Sequence, residues 1–488
     1  MKRKALIYLI FIFLPTLSLA GCKKEEVQEE YKPQTIHVNK EALTMKVGDR
    51  EQLTASVVPA VARPPELQWS SGKESVATVA NGWVEAMAVG ETTITVSYQD
   101  VSTNIAVRVE EADPPNPSGK AVLYESALTA AVPELSVNGL GSYTADGLHI
   151  TAKGNTVQLN KFYALAERMA QYRVKFSADA KAVFKSSQGD FNACIDVPNR
   201  RISIATHPET EMTVGFLQGD REYVVEIYHI YQQAKVRIVD EQTGEGAEIT
   251  VVHDGQGGVG QGALQTGFNV GMQYDHYCFG LASGTSMLVK QITVYALKGN
   301  VKLLIYGDSV SQPEGYFPRA DFPQSWTQRI IDRLNSNAMS SGRGGGTINT
   351  VLEYIKNELP FVKAKYVMVT IGTNGGNTEA NLSELTEYIR SQGAIPILNN
   401  IPCNESGTQI GVNQLIDQVR RKYGINGCRF DLATSLNGDG QQVDQSMMYW
   451  ENYTNGWGEI YHHPNVKGGQ KMFERTLIDL PEIYESNN

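Results

Sequence analysis

The pattern of hydrophobic positions along this 488-residue chain changes once, near residue 300. Before that point, short runs alternate between apolar and polar residues and are separated by Gly, Pro, Asn and Asp, which is typical of half-buried β-strands. Such runs lie at 52–57, 92–98, 223–228 and 234–240. After it, continuous apolar runs alternate with segments whose apolar residues recur every three or four positions. The pattern predicts a strand-rich N-terminal part and an α/β C-terminal part.

The C-terminal part carries three apolar runs that predict buried strands, at 303–306, 366–371 and 395–398. Helical spacing predicts four helices around these segments: 326–334, 348–355, 382–389 and 415–419. Alternation of apolar strands with helices predicts a three-layer α/β fold, with a parallel sheet covered on both faces. In such sheets the active site lies at the carboxyl ends of the strands.

These patterns divide the chain into six segments. We expect a signal peptide at 1–21, a polar tether at 22–34, a first β-domain at 35–110, a Pro-rich linker at 111–119, a second β-domain at 120–298 and an α/β domain at 299–488.

The first residues have the features of a targeting segment. Basic residues at 2–4 precede an apolar run at 5–14, which is too short to span a bilayer. The sequence LAGC at 19–22 resembles the lipobox of bacterial lipoproteins, which implies cleavage before Cys22 and a lipid anchor on it. A plain secretory signal is the alternative. The acidic residues within 25–30 resemble a surface-export signal and imply an outer-membrane, cell-surface location, although they also suit an ordinary solvated tether.

Net charge and cysteine content restrict the function. The formal charge of −10 argues against nucleic-acid binding, which requires basic patches that neutralise phosphates. No CxxC pair or His/Cys cluster suggests a metal site. In an oxidising compartment the remaining cysteines form either two disulfides or four free thiols. These cysteines are Cys194, Cys278, Cys403 and Cys428.

The first β-domain resembles the bacterial Ig-like group 2 family. The residues that carry the resemblance are LTMKVG at 43–48, LQWSS at 67–71, VATV at 76–79, GWVEA at 82–86 and GETTITV at 90–96. It implies a β-sandwich with Trp69 in its core and a spacer or adhesive role.

The second β-domain has enough strands for a two-sheet jelly roll, with a Gly-rich loop at 255–262. It looks like a concanavalin-like lectin sandwich, in which Tyr274, His276 and Tyr277 are candidate glycan-binding residues. A non-binding accessory domain is the alternative.

Four blocks in the α/β domain carry candidate chemistry. Ser309 follows the first strand, in Gly-Asp-Ser, where a nearby helix N-terminus favours negative charge. The glycine-rich loop 342–347 offers unobstructed backbone amides, and Asn374 follows the next apolar strand. His462 and His463 are the only histidines of the domain.

This order of Ser, Gly, Asn and His resembles the SGNH (GDSL-like) hydrolase family, whose sheet is flavodoxin-like. The resemblance implies that Ser309 is the nucleophile and that its amide, the Gly345 amide and the Asn374 side chain form an oxyanion hole. His463, which precedes Pro464, is then the general base, and no metal or organic cofactor is needed.

The third triad member departs from the family pattern. The usual acid lies three residues before the histidine that precedes proline, and that position is Ile460. Either Glu459 orients His463 through a longer loop, or His462 is the base with Glu459 in the usual spacing. A third alternative is a Ser-His dyad supported by a carbonyl or by Asp444.

Taken together, these features predict a serine esterase that acts on O-acetyl esters of extracellular carbohydrate. A lipase or thioesterase for longer acyl chains is one alternative. A non-catalytic, glycan-binding surface lipoprotein is another, because the acid at position 460 is missing.

Overall fold

The computed structural model describes residues 32–59, 66–110, 119–187, 191–205, 210–252, 276–453 and 458–485. The expected signal peptide, Cys22, residues 111–118 of the predicted linker 111–119, the loop 255–262 and Tyr274 lie outside the described residues. In the described part, no helix is both long and apolar enough to cross a bilayer.

The first β-domain is built from nine described strands around its own apolar core. They are β1 Thr35–Val38, β2 Ala42–Lys46, β3 Arg50–Gln52, β4 Ala55–Val58, β5 Gln68–Ser71, β6 Ala77–Ala80, β7 Trp83–Ala86, β8 Gly90–Tyr98 and β9 Val101–Glu110. The largest sheet has the order β2-β9-β8-β5, with β2 and β9 parallel. Trp69 packs against the core, as predicted, although it is only partly buried.

The second β-domain consists of two antiparallel sheets. Its strands are β10 Ala121–Ser126, β11 Leu135–Ser136, β12 Gly141–Thr144, β13 Gly147–Ile150, β14 Val157–Phe162, β15 Glu167–Phe176, β16 Lys181–Ser186, β17 Asn192–Asp196, β18 Arg201–Ile204, β19 Thr210–Thr213, β20 Glu222–Ile230, β21 Gln233–Asp240, β22 Gly246–Val252, β23 His276–Ser283 and β24 Met287–Ala296. One sheet has the order β12-β13-β24-β15-β20-β21-β22, with β10 also paired to β24, and the other β11-β14-β23-β16-β17-β18-β19.

Aromatic rings join the two sheets in the interior. The Tyr172 ring of one sheet lies 4.8 Å from the ring of Phe184 and 5.3 Å from that of Phe279 in the other. The expectation that Tyr277 binds glycan is wrong, because its side chain packs into this core and is only 2% exposed. His276 is half-buried and its ring lies 5.6 Å from that of Phe162. Of the two alternatives for the cysteines, disulfides are not formed: Cys194, Cys278, Cys403 and Cys428 make no disulfide within the described residues.

The C-terminal domain has a parallel sheet of order β26-β25-β27-β28 between two helical layers. Its strands are β25 Leu303–Gly307, β26 Ala338–Gly342, β27 Tyr366–Thr370 and β28 Ile395–Leu398, followed by a hairpin of β29 Glu451–Tyr453 and β30 Gly458–Ile460. Its helices are α1 Pro313–Tyr316, α2 Trp326–Arg333, α3 Ile348–Val362, α4 Glu379–Ser391, α5 Gln409–Tyr423, α6 Phe430–Thr434 and α7 Val466–Asp479. The described residues of this domain also form 3-10 helices at Ser309–Ser311, Phe322–Gln324, Gln445–Met447 and Pro481–Ile483.

Alternate residues of β25 point into the two helical layers. Leu304 and Tyr306 join the core formed with α3, whereas Leu303 and Ile305 join the core formed with α2 and α7. The predicted strands and helices are therefore confirmed, and the structure adds β26, which the sequence pattern did not predict.

The second β-domain and the α/β domain share one continuous core. Edge strand β26 is covered by the β-domain, because the Ser340 carbonyl accepts the amide of Ala166 at 2.8 Å. Nearby, the buried carboxylate of Glu358 in α3 accepts the amides of Ala164 at 2.5 Å and Leu165 at 3.1 Å. The two domains are thus hydrogen-bonded through buried groups.

Candidate active site

Three neighbouring strands end at one rim of the sheet, and each carries one predicted site residue just beyond its end. Ser309 follows β25, Gly345 follows β26, and Asn374 follows β27. Because β25 lies between the other two strands, the serine stands between the two candidate oxyanion donors.

Ser309 begins a short 3-10 helix and is 5% exposed. The Asp308 side chain caps this helix by accepting the Val310 amide at 3.0 Å. Burial raises the pKa of Asp308 to about 6, and the hydrogen bond from that amide opposes the rise. Asp308 therefore shapes the turn that presents the serine.

The glycine-rich loop leaves one amide available at the rim. Gly344 donates its amide to the Gln312 side chain at 2.7 Å, and Gly346 donates to the Arg343 carbonyl at 3.0 Å. Gly345 lies between them with a φ of +74°, a conformation that favours glycine. In the described part of the chain, the amides of Gly345 and Ser309 donate to no protein group.

Asn374 is the third candidate oxyanion donor. Its side-chain nitrogen donates to the Gly346 carbonyl at 3.1 Å, which ties the end of β27 to the glycine loop. A side-chain amide carries two N–H groups, so the second one remains for a substrate oxygen.

The two histidines have different environments. His463 is 5% exposed, and its Nδ1 lies 2.5 Å from a carboxylate oxygen of Glu451, itself 1% exposed. His463 Nε2 is buried and has no hydrogen-bond partner among the described residues. His462 Nδ1 lies 3.3 Å from Glu405, and its ring packs 4.3 Å from that of His463.

Glu405 fixes the loop that carries the histidines. It also accepts the Tyr461 amide, at 2.9 Å. Burial by itself raises the pKa of Glu405, but the hydrogen bonds from His462 and from this amide outweigh burial and lower it to about 2. Glu405 is thus an ionised anchor for the loop at neutral pH.

A hairpin that the sequence analysis missed supplies the carboxylate beside His463. Strands β29 and β30 pair so that Glu451 lies directly opposite Ile460, the position at which an acid was expected. Glu459 lies opposite Asn452 and is exposed, so the expectation that Glu459 orients a histidine is wrong. Asp444 caps the 3-10 helix at Gln445–Met447, and among the described residues no hydrogen bond joins it to either histidine.

Tyr316, the last residue of α1, lies near both His463 and Ser309. Its ring lies 4.4 Å from the His463 ring, at an angle of 34°. Its hydroxyl interacts with the Ser309 side chain. Gln232 of the second β-domain holds this helix, because its side-chain nitrogen donates to the carbonyls of Glu314 at 3.3 Å and Phe317 at 2.9 Å.

Buried ionisable groups of α1 and of the second β-domain lie near one another at the junction of the two domains. Burial raises the pKa of Glu314 to about 8, and the nearby Arg168 and Arg343 only partly oppose this rise. One Glu314 carboxyl oxygen has no partner in the described part, as suits a neutral acid. Burial also lowers the pKa of His229 well below its usual value, and the same two arginines add to that effect.

Residues 34–109 match the family model described as the bacterial Ig-like domain (group 2), which confirms the predicted first β-domain. No curated protein matches the chain. Among solved structures, arcelin-5, a lectin-like defence protein from Phaseolus vulgaris, is 8% identical and is matched over 36% of this chain and 98% of its own, with a TM-score of 0.28.

Two further solved structures are enzymes. A catalytic mutant of Axe2, an acetylxylan esterase from Geobacillus stearothermophilus, is 13% identical, over 39% of this chain and 99% of its own, with a TM-score of 0.29. TesA is 20% identical, over 37% of this chain and 98% of its own, with a TM-score of 0.30. These similarities are too distant to indicate an activity.

Proposed function

We propose that the C-terminal domain is a serine esterase of the SGNH hydrolase kind, with Ser309, His463 and Glu451 as its triad. One observation carries this proposal. A buried glutamate holds Nδ1 of His463, the opposite ring nitrogen is buried without a hydrogen-bond partner among the described residues, and the ring packs against Tyr316. A general base requires this division of roles between its two nitrogens.

In the proposed reaction, Ser309 Oγ attacks the ester carbonyl carbon while its proton passes to His463 Nε2. The carbonyl electron pair moves to oxygen, where the amides of Ser309 and Gly345 and the Asn374 side chain stabilise the negative charge. Collapse of this intermediate breaks the bond to the alkoxy oxygen, which takes the proton from His463. Water then hydrolyses the acyl-serine by the same steps.

Glu451 stabilises the imidazolium that forms in both halves of the reaction. It accepts the Nδ1 proton and thereby fixes the tautomer in which Nε2 is free to accept. It thus takes the role for which position 460 lacks an acid.

As substrates we propose O-acetyl esters on extracellular carbohydrate. The N-terminal sequence supports export and a lipid anchor at Cys22, with exposure at the outer-membrane surface. The catalytic rim lies at the junction with a β-sandwich domain, which supports a polymeric substrate that contacts both domains. Nitrophenyl esters of increasing chain length separate this proposal from a lipase or thioesterase, because acetate should be the best substrate.

The test is hydrolysis of p-nitrophenyl acetate by the purified protein and by Ser309→Ala, which should lose at least about 10³-fold in kcat. Ser311→Ala is the matched control, because Ser311 lies in the same 3-10 helix and should be dispensable. Equal rates for wild type and Ser309→Ala would refute the proposal.

A further inference from the structure

We propose that Tyr316 is a further catalytic residue, whose phenol hydroxyl donates a hydrogen bond to the oxyanion of the tetrahedral intermediate. This inference rests on the proposed esterase function. It adds a side-chain donor to the two backbone amides and the Asn374 amide.

The hydroxyl of Tyr316 lies close to the proposed reacting groups. It interacts with the side chain of Ser309, the reacting group. It also lies against the glycine loop, since a Cβ atom added at Gly344 would stand 2.2 Å from the Tyr316 oxygen. Gly344 immediately precedes Gly345, whose amide donates to no protein group among the described residues. The phenol hydroxyl therefore lies near both the proposed nucleophile and the glycine loop that supplies one of the proposed oxyanion donors.

The phenol is also held in place before substrate binds. Its ring packs on His463, and Tyr316 is only 7% exposed. Gln232 holds the carbonyls on both sides of the tyrosine, at Glu314 and Phe317. A donor held in place in this way costs little reorganisation when charge develops, which is the property that makes oxyanion donors effective.

The phenol of Tyr316 is protonated at neutral pH. Burial raises the pKa of Tyr316, and the nearby Glu451 and Asp308 carboxylates contribute to the rise. The hydroxyl therefore keeps its proton throughout the neutral range and serves as a donor. It gives up no proton during the reaction, because the proton of Ser309 goes to His463.

Tyr316→Phe tests this role, because it keeps the ring against His463 and removes only the hydroxyl. We expect kcat for p-nitrophenyl acetate to fall roughly 10²-fold, with KM near the wild-type value. Affinity for a small alkylboronic acid, which forms a tetrahedral adduct with an active serine, should fall by a similar factor. Tyr449→Phe is the matched control, because its hydroxyl donates to Asp321 at 3.0 Å and should not affect the rate.

Three outcomes decide the inference. Parallel losses of kcat and boronate affinity support it. Wild-type kcat in Tyr316→Phe overturns it, and so does a lower kcat with unchanged boronate affinity, because the hydroxyl would then act on the nucleophile and not on the oxyanion. Ser309→Ala is measured alongside. If that variant is inactive while Tyr316→Phe is fully active, the role of Tyr316 fails and the proposed function stands.

Discussion

Replacing Glu451 with Gln exchanges the carboxylate beside the proposed general base for an uncharged amide. The carboxylate lies 2.5 Å from His463 Nδ1 and is 1% exposed, so water cannot replace the lost charge. Glutamine has nearly the same shape, and its amide oxygen can still accept the Nδ1 proton. The substitution therefore removes the charge that stabilises the imidazolium and leaves the packing of the hairpin in place.

The size of the effect follows from the geometry. Two unit charges 2.5 Å apart attract by about 7 kcal/mol at an effective dielectric constant of 20. The retained hydrogen bond offsets part of this loss, which leaves about 3 to 5 kcal/mol. Since each 1.4 kcal/mol corresponds to about a factor of ten in rate, kcat should fall about 10²- to 10⁴-fold.

The assay is kcat for p-nitrophenyl acetate, with thermal unfolding measured on the same preparations. Glu459→Gln is the matched control, because Glu459 lies in the same hairpin but is exposed, and it should retain wild-type kcat. Glu405→Gln tests the neighbouring His462 pair and should cost far less than Glu451→Gln. The reasoning is refuted if Glu451→Gln is folded and fully active, or if Glu459→Gln shows the larger loss.

Three further predictions concern the junction of the β-sandwich and the α/β domain. Between pH 4.5 and about 8, Glu314 is protonated in the folded protein and ionised in the unfolded chain, so the free energy of unfolding should fall as pH rises, by on the order of 3 kcal/mol up to pH 7. Chemical unfolding of Glu314→Gln at several pH values should show a flatter pH dependence. An unchanged slope would contradict this prediction. Gln232→Ala leaves two buried carbonyls unpaired and should lower the free energy of unfolding by about 1–3 kcal/mol. It should also lower kcat, because these carbonyls belong to and follow α1, which carries Tyr316. A wild-type kcat would argue against this coupling. Glu358→Ala removes the acceptor of two amides from the β-domain and should lower the free energy of unfolding by at least about 2 kcal/mol, measured by urea unfolding. An unchanged free energy of unfolding would contradict the described interface.

The strands and helices that the sequence predicted are those whose signal is local. Strand β25 is a continuous apolar run, and α2 has apolar residues at helical spacing that fill one core. Because successive parallel strands end at one rim, the sequence order also indicated that Ser309 and Asn374 come together.

Strand β26 was missed because its polar side chains form hydrogen bonds with groups that are distant in the sequence. Ser340 donates its hydroxyl to the Ser311 carbonyl at 2.9 Å, and Ser341 donates to Glu358 at 2.6 Å. Neither partner is near in sequence, so a buried strand that contains two serines has no local hydrophobic signal.

The carboxylate beside His463 was missed for a related reason. Spacing arguments consider residues three or four positions away, whereas Glu451 is twelve residues before the histidine and reaches it across a hairpin. Pairing register decides which residue faces position 460, and a three-residue strand carries too little pattern to predict that register.

The central claim is that Ser309 is a nucleophile activated by His463, and covalent labelling tests it most directly. The purified protein is treated with a fluorophosphonate, digested, and analysed by mass spectrometry. We predict one phosphonate per chain, on the peptide that contains Ser309, with labelling greatly slowed in His463→Ala but not in His462→Ala. The account is contradicted if the protein remains unlabelled, or if the label lies on a residue other than Ser309.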